Sequence, residues 1–256
     1  YHTELFDTSS LWVIKGVDYY LVSSDEARKK LIMRGIPRHK LFTFHYPVQQ
    51  DFYRIEASRE RIARQVGADP GRKTVLISFG GQGYGNIGKF IEAVTEERLP
   101  LNIIVVAGKN EAMRSRLERQ FNSAGGGQKV IVKGFVTNMH ELMYLADVCF
   151  IKPGPSTTME AVTLRKPILF YKSAQISENG NIHFALKQGI GFYVGDNQRR
   201  FAQLMGECVN GDLLQQVARR YHTLEIRNGA RDIARFLMRV LEDGRVLPEE
   251  VGAATS

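Results

Sequence analysis

The sequence predicts an α/β protein with a Rossmann-like, doubly wound parallel sheet. Three observations support this fold class: strand and helix patterns alternate along most of the chain, the longer predicted strands are continuous apolar runs, and 43% of the 256 residues are hydrophobic. Continuous apolar strands are typical of parallel sheets whose two faces are covered by helices. Short crossovers between parallel strands are right-handed, and they wind such a sheet in two directions from its middle.

The first part of the chain predicts two strands and two helices. The strands are predicted at 17–22 (VDYYLV) and 40–45 (KLFTFH). Ser24 or Asp25 is expected to cap the N-terminus of the helix between them, and Gly35 to end it. The connection after the second strand is predicted to be irregular, because Pro47 cannot continue a strand. A basic helix follows within 57–72. Its Gly/Pro-rich end is a candidate domain boundary.

From residue 73 onward, strands and helices alternate regularly. Strands are predicted at 73–79, 101–108, 129–134, 147–152, 166–171 and 191–194. Helices are predicted at about 86–97, 110–122, 138–145, 155–164, 180–188 and 198–209, with two more within 211–243. In the last helix, apolar residues recur with the spacing of one helical face, at Ile233, Phe236, Leu237, Val240 and Leu241. This stripe is typical of a helix face that packs on a core.

Composition and charge narrow the function classes. No apolar run approaches the roughly 18–20 residues of a membrane-spanning helix. The two cysteines lie far apart, which disfavours a disulfide framework or zinc site and favours a cytoplasmic location, and Cys149 is predicted to lie in the core. A net charge of +8 is typical of surfaces that meet nucleic acid, anionic lipid or phosphorylated ligands. Nucleic acid is not expected, because no RNP-like or helix-turn-helix pattern is present.

A glycine-rich loop follows the first strand of the regular region. Gly83, Gly85 and Gly88 form a G-x-G-x-x-G between a strand and a helix, which is the setting of a dinucleotide-binding fingerprint. That fingerprint also requires Asp or Glu at the tip of the next strand, where this chain has Gly108 and Lys109. Three interpretations stay open: NAD(P) binding, a packing turn, and backbone N–H groups that face a substrate oxygen or phosphate.

A stronger nucleotide signal lies in the stretch IKPGPSTTMEA (151–161). Gly154 and Pro155 predict a tight turn, and Ser156 and Thr157 then lie where a helix begins. The unpaired N–H groups and positive dipole end of a helix N-terminus bind anions. The sequence therefore predicts an anion site, suited to a diphosphate, at this turn.

Two charged residues flank that turn. Lys152, just before it, adds a positive charge beside the predicted anion site. Glu160 follows one turn into the helix, where a carboxylate either contributes ordinary capping electrostatics or accepts two hydrogen bonds from a ribose diol. A diphosphate at the helix tip and a diol one turn further along is the geometry of a nucleoside diphosphate.

A polar segment, YKSAQISENGNIHF (171–184), follows the next strand. Its hydrogen-bonding side chains are concentrated at Gln175, Ser177, Glu178, Asn179 and Asn181. Sugars are recognised by such groups because each hydroxyl both donates and accepts a hydrogen bond. A solvated loop with an asparagine cap is the alternative, and proximity to the predicted anion site favours the sugar.

Taken together and in order, several stretches resemble the C-terminal half of a GT-B glycosyltransferase. They are SFGGQGYG (78–85), VVAGKN (105–110), VKGFVTNMHELMYLADVCFIKPGPSTTMEA (132–161), SENGN (177–181) and QGIGF (188–192). The group that they resemble contains the monogalactosyldiacylglycerol synthases and processive diacylglycerol glucosyltransferases, which are akin to MurG. The similarity covers residues 73–195 and extends more loosely over 17–37 and the YPV of 46–48.

The resemblance implies an inverting hexosyltransferase with a UDP-sugar donor and a lipid or other hydroxyl acceptor, and no metal or other cofactor. It places the uracil at the backbone of Phe135 and Val136, the ribose at Glu160, and the sugar at the polar segment. The diphosphate is implied at Ser156 and Thr157. The implied donor-binding residues are Gly80, Gly81, Gln82, Gly83, Asn110, Phe135, Val136, Gly154, Pro155, Ser156, Thr157, Glu160, Gln175, Ser177, Glu178 and Asn181.

The resemblance also implies how the chain divides. Residues 1–68 are expected to end an N-terminal, acceptor-binding domain, 69–245 to form the nucleotide-sugar-binding domain, and 246–256 to form a flexible tail. Most of the acceptor domain, with the catalytic base, is expected upstream of Tyr1, so no catalytic residue is assigned. A nucleotide-sugar-binding module without turnover and an NAD(P)-dependent oxidoreductase are the alternative functions.

The surface charge and the donor sugar leave further alternatives open. The basic run from Arg54 to Arg72 is interpreted either as a contact with an anionic membrane surface on the cytoplasmic side or as a solvated helix face. The resembling enzymes often carry Gln-Glu where this chain has Ser177 and Glu178, so the resemblance leaves the identity of the sugar open.

Overall fold

The computed structural model describes residues 5–6, 13–14, 16–82, 85–121, 127–173 and 175–244. The strands in these ranges are β1 (Tyr20–Val22), β2 (Leu41–Thr43), β3 (Lys73–Ser78), β4 (Leu101–Val106), β5 (Lys129–Lys133), β6 (Val148–Ile151), β7 (Ile168–Phe170) and β8 (Gly191–Tyr193). The α-helices are α1 (Asp25–Met33), α2 (Arg59–Val66), α3 (Ile87–Glu96), α4 (Glu111–Phe121), α5 (Met139–Leu145), α6 (Pro155–Thr163), α7 (Asn179–Gln188), α8 (Gln198–Asn210), α9 (Leu213–Tyr221) and α10 (Ala230–Asp243). Short 3₁₀ helices lie at Arg38–Lys40, Gln50–Phe52 and Ile176–Glu178.

The helices begin and end where their capping residues predict. Ser24 accepts a hydrogen bond from the N–H of Ala27 at 3.1 Å, which makes Ser24 the N-cap of α1. Gly35, just past that helix, has φ +88°. Ser58 caps α2, which ends at Gly67 in the left-handed conformation that glycine adopts most easily. The predicted tail at 246–256 and Gly83 lie outside the described residues.

The larger sheet is doubly wound, as predicted. Its six strands follow the order β5-β4-β3-β6-β7-β8, and every neighbouring pair is parallel. Within this sheet, the first strand along the chain is the central strand β3. Strands β4 and β5 add to one side of it, and β6, β7 and β8 then add to the other side. In such sheets, ligands bind beyond the carboxyl ends of the two strands where the order reverses. Here those strand ends are Ser78 of β3 and Ile151 of β6.

Both faces of this sheet are covered. Val75, Leu76 and Ile77 on β3 are all fully buried, although successive side chains of a strand point to opposite faces. On one face, Phe150 of β6 stacks on Phe201 of α8, with ring centroids 4.6 Å apart. Double coverage explains the continuous apolar strands. Cys149 is buried, as the sequence predicts.

The chain's last helix packs on a second, smaller sheet. Strands β1 and β2 pair in parallel, and Phe236 of α10 lies 4.6 Å from the ring of Phe42 on β2. The predicted apolar stripe of α10 is wrong in part: Phe236 is buried, but Leu237 is 50% exposed and Leu241 79%. Among the described residues, the small sheet covers the stripe around Phe236, against which Ile233 and Val240 are partly buried.

Two chain segments link the small sheet to the large one, and they are held together. Asn228 donates to the carbonyl oxygen of Val48 at 2.8 Å and accepts from its N–H at 3.4 Å. Gly229 donates its N–H to the carbonyl of Tyr46 at 3.4 Å. A Cβ atom built on Gly229 would lie 1.8 Å from the carbonyl oxygen of His45. We call residues 45–48 and 228–229 the crossing segments.

Gly229→Ala tests this close approach. The added methyl group overlaps backbone that no rotamer change relieves, so the free energy of unfolding should fall by about 1–3 kcal/mol in urea denaturation. Gly206→Ala in α8 is the matched control, because its Cβ would meet no atom within 4 Å. That control should be neutral or up to about 1 kcal/mol more stable, since alanine is favoured over glycine in helices. Equal unfolding midpoints for Gly229→Ala and the unaltered protein would contradict the packing.

Candidate functional site

The candidate site begins at the N-terminus of α6, directly beyond β6. Gly154 is the N-cap in an extended conformation (φ −66°, ψ 145°), Pro155 is the first helical residue, and no side chain caps the helix. Proline has no N–H, and the N–H of Thr158 already donates to the carbonyl of Gly154. The N–H groups of Ser156 and Thr157 therefore lack intrahelical acceptors and form the positive end of the helix dipole.

Two contacts from the segment around α7 hold the turn before α6. The ammonium of Lys152 lies 2.6 Å from a carboxylate oxygen of Glu178. The side-chain amide of Asn181, fully buried, donates to the carbonyl of Pro153 at 2.7 Å. These contacts connect the turn after β6 to the polar segment after β7, two regions that the sequence assigned separately to a phosphate and a sugar.

Glu178 has an internal role that the sequence did not reveal. The residue is 3% exposed, and its carboxylate accepts hydrogen bonds from Lys152 and, at 3.4 Å, from the N–H of Gln175. Gln175 and Glu178 form a capping box around the short 3₁₀ helix. Gln175 is exposed and Ser177 half-buried, so these two side chains line the surface while Glu178 lies beneath it.

Glu160 is a half-buried carboxylate that lies beyond the first turn of α6. Helix capping therefore does not account for it. Within the described ranges it makes no hydrogen bond or ion pair. Burial raises the pKa of Glu160 from 4.5 to about 7, because a desolvated carboxylate is less stable in its charged form. A half-buried acceptor without a protein partner is suited to bind donor groups of a ligand, such as hydroxyls.

The glycine loop after β3 packs on the tip of β4. Gly81 accepts a hydrogen bond from the N–H of Lys109 at 2.8 Å, and a Cβ on Gly108 would lie 2.2 Å from the carbonyl oxygen of Gly81. A dinucleotide site would need a carboxylate at this tip. Instead, Gly108 has φ +61° and the glycine loop leaves no space for a side chain at this position, which argues against the NAD(P) interpretation.

Other glycines of the fingerprint pattern have packing roles. A Cβ on Gly85 would lie 3.2–3.3 Å from the rings of Phe79 and Tyr171, and Gly85 has φ +86°. Gly88 is buried inside α3. Gly80, with φ +95°, would have open space around a Cβ. The packing interpretation therefore holds for much of the loop, while Gly80 and the backbone of Gly81 and Gln82 lie near the carboxyl end of β3.

The loops after β4 and β5 carry the remaining predicted residues. Asn110 accepts a hydrogen bond from the N–H of Met113 at 2.9 Å, at the start of α4. Phe135 is 62% exposed, and the ammonium of Lys109 lies 5.7 Å from its ring centroid. Val136 is half-buried. An exposed ring beside a cation at the carboxyl end of a sheet is a surface on which a planar group can stack.

Tyr46 is a residue near the site that the sequence reasoning missed. Its hydroxyl lies 2.9 Å from the Oγ of Ser156, although 110 residues separate them. The YPV motif of 46–48 marked this segment, but nothing local in it indicates contact with α6. Among the described residues, no group of three or more His, Cys, Asp or Glu side chains is arranged to hold a metal ion.

The strand order and the uncapped helix at its switch point define a Rossmann-like nucleotide-binding fold. Residues 58–221 match the family model of the glycosyl transferases group 1. The chain belongs to this family.

The curated relatives are named for the glucosylation of diacylglycerol and the synthesis of monogalactosyldiacylglycerol. The chain is 28% identical over 200 residues to the processive diacylglycerol beta-glucosyltransferase of Bacillus cereus (strain G9842), covering 77% of this chain and 50% of the relative. It is 26% identical over 209 residues to the probable monogalactosyldiacylglycerol synthase 2, chloroplastic, of Oryza sativa subsp. japonica, covering 79% of this chain and 44% of the relative. The chain spans about half the length of these relatives.

Solved structures confirm the GT-B fold. MurG of Acinetobacter baumannii superposes with a TM-score of 0.61 at 14% identity, covering 87% of this chain and 74% of that one. Anabaena HepE in complex with UDP and glucose superposes with a TM-score of 0.57 at 16% identity, covering 86% and 63%. At such identities the likeness concerns the fold.

Glu160→Gln tests the electrostatics of the site. Burial favours the protonated carboxyl, so the folded protein holds this proton up to about pH 7 and the unfolded chain only up to pH 4.5. Stability from this group is therefore complete below pH 4.5 and is lost as the pH rises through 7. At about pH 8, Glu160→Gln should be more stable than the unaltered protein by about 1–3 kcal/mol, and the difference should vanish towards about pH 4.5.

Urea denaturation across this pH range measures the difference. Glu160→Ala also removes the titration, so both variants should share the shallower dependence of stability on pH, whatever their absolute stabilities. Curves that stay parallel to that of the unaltered protein would show that Glu160 is not desolvated.

Proposed function

We propose that this chain is the nucleotide-sugar-binding part of an inverting, metal-independent glycosyltransferase that moves a hexose from a UDP-sugar to a hydroxyl of a diacylglycerol-like lipid. Membership of the glycosyl transferases group 1 family, and relatives whose names specify diacylglycerol and galactolipid synthesis, support this proposal. The single observation that carries it is the presence on one helix, α6, of an uncapped N-terminus and a half-buried carboxylate that has no partner among the described residues.

The donor is proposed to lie along α6. Ser156 and Thr157 offer N–H groups to the diphosphate, and Glu160 offers its carboxylate to the ribose diol. A helix rises about 1.5 Å per residue, so Glu160 lies roughly 4.5–6 Å along the axis from these N–H groups. That distance is of the order that separates the diphosphate from the ribose hydroxyls of a nucleoside diphosphate. The exposed ring of Phe135 is the candidate surface for the uracil.

The sugar is proposed to meet the polar segment before α7. Gln175 and Ser177 present accessible hydrogen-bonding groups above the buried Glu178, which Lys152 keeps paired. The carboxylate of Glu178 is 3% exposed and accepts from Lys152 and from the N–H of Gln175, so we propose that it supports this segment from below. This arrangement supports recognition of a hexose without specifying which one.

The proposed chemistry follows from the helix dipole. As the glycosidic bond to the diphosphate breaks, negative charge develops on the leaving phosphate, next to the N–H groups of Ser156 and Thr157. Preorganised donors at this point lower the barrier without a metal. A base must also remove the proton of the acceptor hydroxyl. We place that base in a domain of which residues 1–68 are the end, because the relatives are about twice as long as this chain.

Calorimetry with UDP tests the donor site. Glu160→Ala should weaken UDP binding about 10- to 100-fold, or roughly 1–3 kcal/mol, because the ribose hydroxyls lose a desolvated acceptor. Glu160→Gln is the matched control: it keeps one acceptor oxygen in the same place and should lose less. Binding of NADH without binding of UDP would overturn the proposal in favour of an oxidoreductase.

Turnover is measured separately. Release of UDP from a UDP-hexose in the presence of diacylglycerol would support transfer by this chain. Binding without release would support a nucleotide-sugar-binding module that needs the acceptor domain for activity.

An anionic membrane surface is the proposed partner that presents the lipid. The basic run at 54–72 is partly neutralised, since Arg59 lies 3.2 Å from Asp147 and Arg72 lies 3.0 Å from Asp69. Helix α10 is a second candidate, in which Arg235 lies 3.5 Å from Asp232 and exposed apolar side chains lie beside the arginines. Its exposed residues include three large apolar side chains and three arginines: Leu237, Met238, Leu241, Arg231, Arg235 and Arg239. An apolar strip beside arginines is typical of helices that lie in the lipid headgroup region.

The helical positions support this assignment. At 100° per residue, Leu237, Leu241 and Met238 fall within one sector of α10 on the side away from Phe236, and the three arginines, spaced four apart, occupy the adjoining sector between Met238 and Phe236. The charge row is therefore placed to meet anionic headgroups while the apolar strip enters the interface. In the described ranges, no helix is both long and apolar enough to cross a bilayer.

Vesicle sedimentation tests the membrane contact. The protein should sediment with vesicles that contain roughly 30% anionic lipid and much less with neutral ones, since each basic residue near such a surface contributes about 1 kcal/mol. The double variant Leu237→Ser and Leu241→Ser should lose most of this binding. Leu186→Ser, at an exposed leucine on α7, is the control. No gain on adding anionic lipid, or sedimentation that depends only on protein concentration, would contradict the proposal.

A further inference from the structure

We infer that Tyr46 is a positioning residue for the donor diphosphate, through its hydrogen bond to Ser156. This inference rests on the proposed function. Tyr46 is 6% exposed, whereas Ser156, the second residue of α6, is exposed. Their hydroxyl oxygens are 2.9 Å apart. A buried phenol thus contacts the side chain whose own N–H lies at the proposed phosphate position.

The chemistry of the two hydroxyls gives this contact a direction. A phenol is far more acidic than a serine hydroxyl, so Tyr46 is the better donor and the Oγ of Ser156 the better acceptor. With its oxygen accepting from Tyr46, Ser156 directs its own proton away from the phenol. Without that bond, the hydroxyl of Ser156 has no fixed rotamer: the carbonyl four residues earlier, that of Lys152, lies before the helix and already accepts from the N–H of Gly154. Tyr46 therefore keeps a second donor of Ser156 available beside its N–H.

The crossing segments hold Tyr46 in this place. The carbonyl of Tyr46 accepts from the N–H of Gly229, and Asn228 binds both backbone groups of Val48. The phenol is therefore carried by the part of the chain that joins the two sheets. The affinity for a phosphate at Ser156 would then depend on the position of the small sheet. This is a link between the donor site and the segment that leads to the acceptor side.

Tyr46→Phe tests the inference, because it deletes the hydroxyl and keeps the ring. Calorimetry with UDP and with uridine separates phosphate effects from base and ribose effects. The variant should bind UDP about 3- to 10-fold more weakly and uridine with unchanged affinity. Tyr221→Phe, which removes a hydroxyl bonded to the carbonyl of Lys166 at 2.7 Å, is the matched control and should change neither. Equal losses for both ligands, or no loss, would overturn the inference.

A double-mutant cycle with Ser156→Ala gives an independent test. If Tyr46 acts through Ser156, Tyr46→Phe should have no further effect on UDP affinity in the Ser156→Ala background, whereas additive losses would overturn the inference. The ligand pair also separates the two proposals. An unaltered protein that binds neither UDP nor uridine overturns the proposed function and this inference together. UDP binding that Tyr46→Phe leaves unchanged overturns this inference alone.

Discussion

Pairing of the central strand β3 with both β4 and β6 is the constraint on which the rest of the structure depends. Because β3 lies between these strands in parallel register, the turns after β3 and β6 leave the sheet side by side at one edge. Burial of β3 on both faces fits its central place in the sheet, where helices cover it from each side. The candidate site is the direct consequence of that order.

Around this edge, a small number of polar contacts fix the geometry. Two contacts hold the turn before α6. Lys152 pairs with Glu178, just before α7, and Asn181, in the first turn of α7, donates to the carbonyl of Pro153. Each contact satisfies the hydrogen-bonding capacity of a buried polar group without water, and this stabilises the turn. In the described part of the site, the groups without protein partners include the N-terminal N–H groups of α6, Glu160, the Oγ1 of Thr158 and the Oδ1 of Asn181. A rigid turn with unsatisfied groups beside it is an arrangement suited to a ligand.

The small sheet has a different character. It is two strands wide, and α10 returns across the whole chain to pack on it through Phe236. On α10, Leu237, Met238 and Leu241 are exposed and lie next to arginines. The crossing segments connect this region to α6 through Tyr46. The small sheet and α6 are therefore connected by these hydrogen bonds as well as along the chain.

The sequence alone determined the alternation of elements, the parallel class of the large sheet, the cap at Ser24, and the helix N-terminus at Gly154. These features depend on contacts within a few residues, and local periodicity reports them. Three contacts between residues distant in sequence became visible in the folded structure: the ion pair of Glu178 with Lys152, the packing of Gly108 against Gly81, and the hydrogen bond between Tyr46 and Ser156. Those pairs are set by strand order and by the return of the chain between sheets. Neither is encoded in the spacing of neighbouring residues.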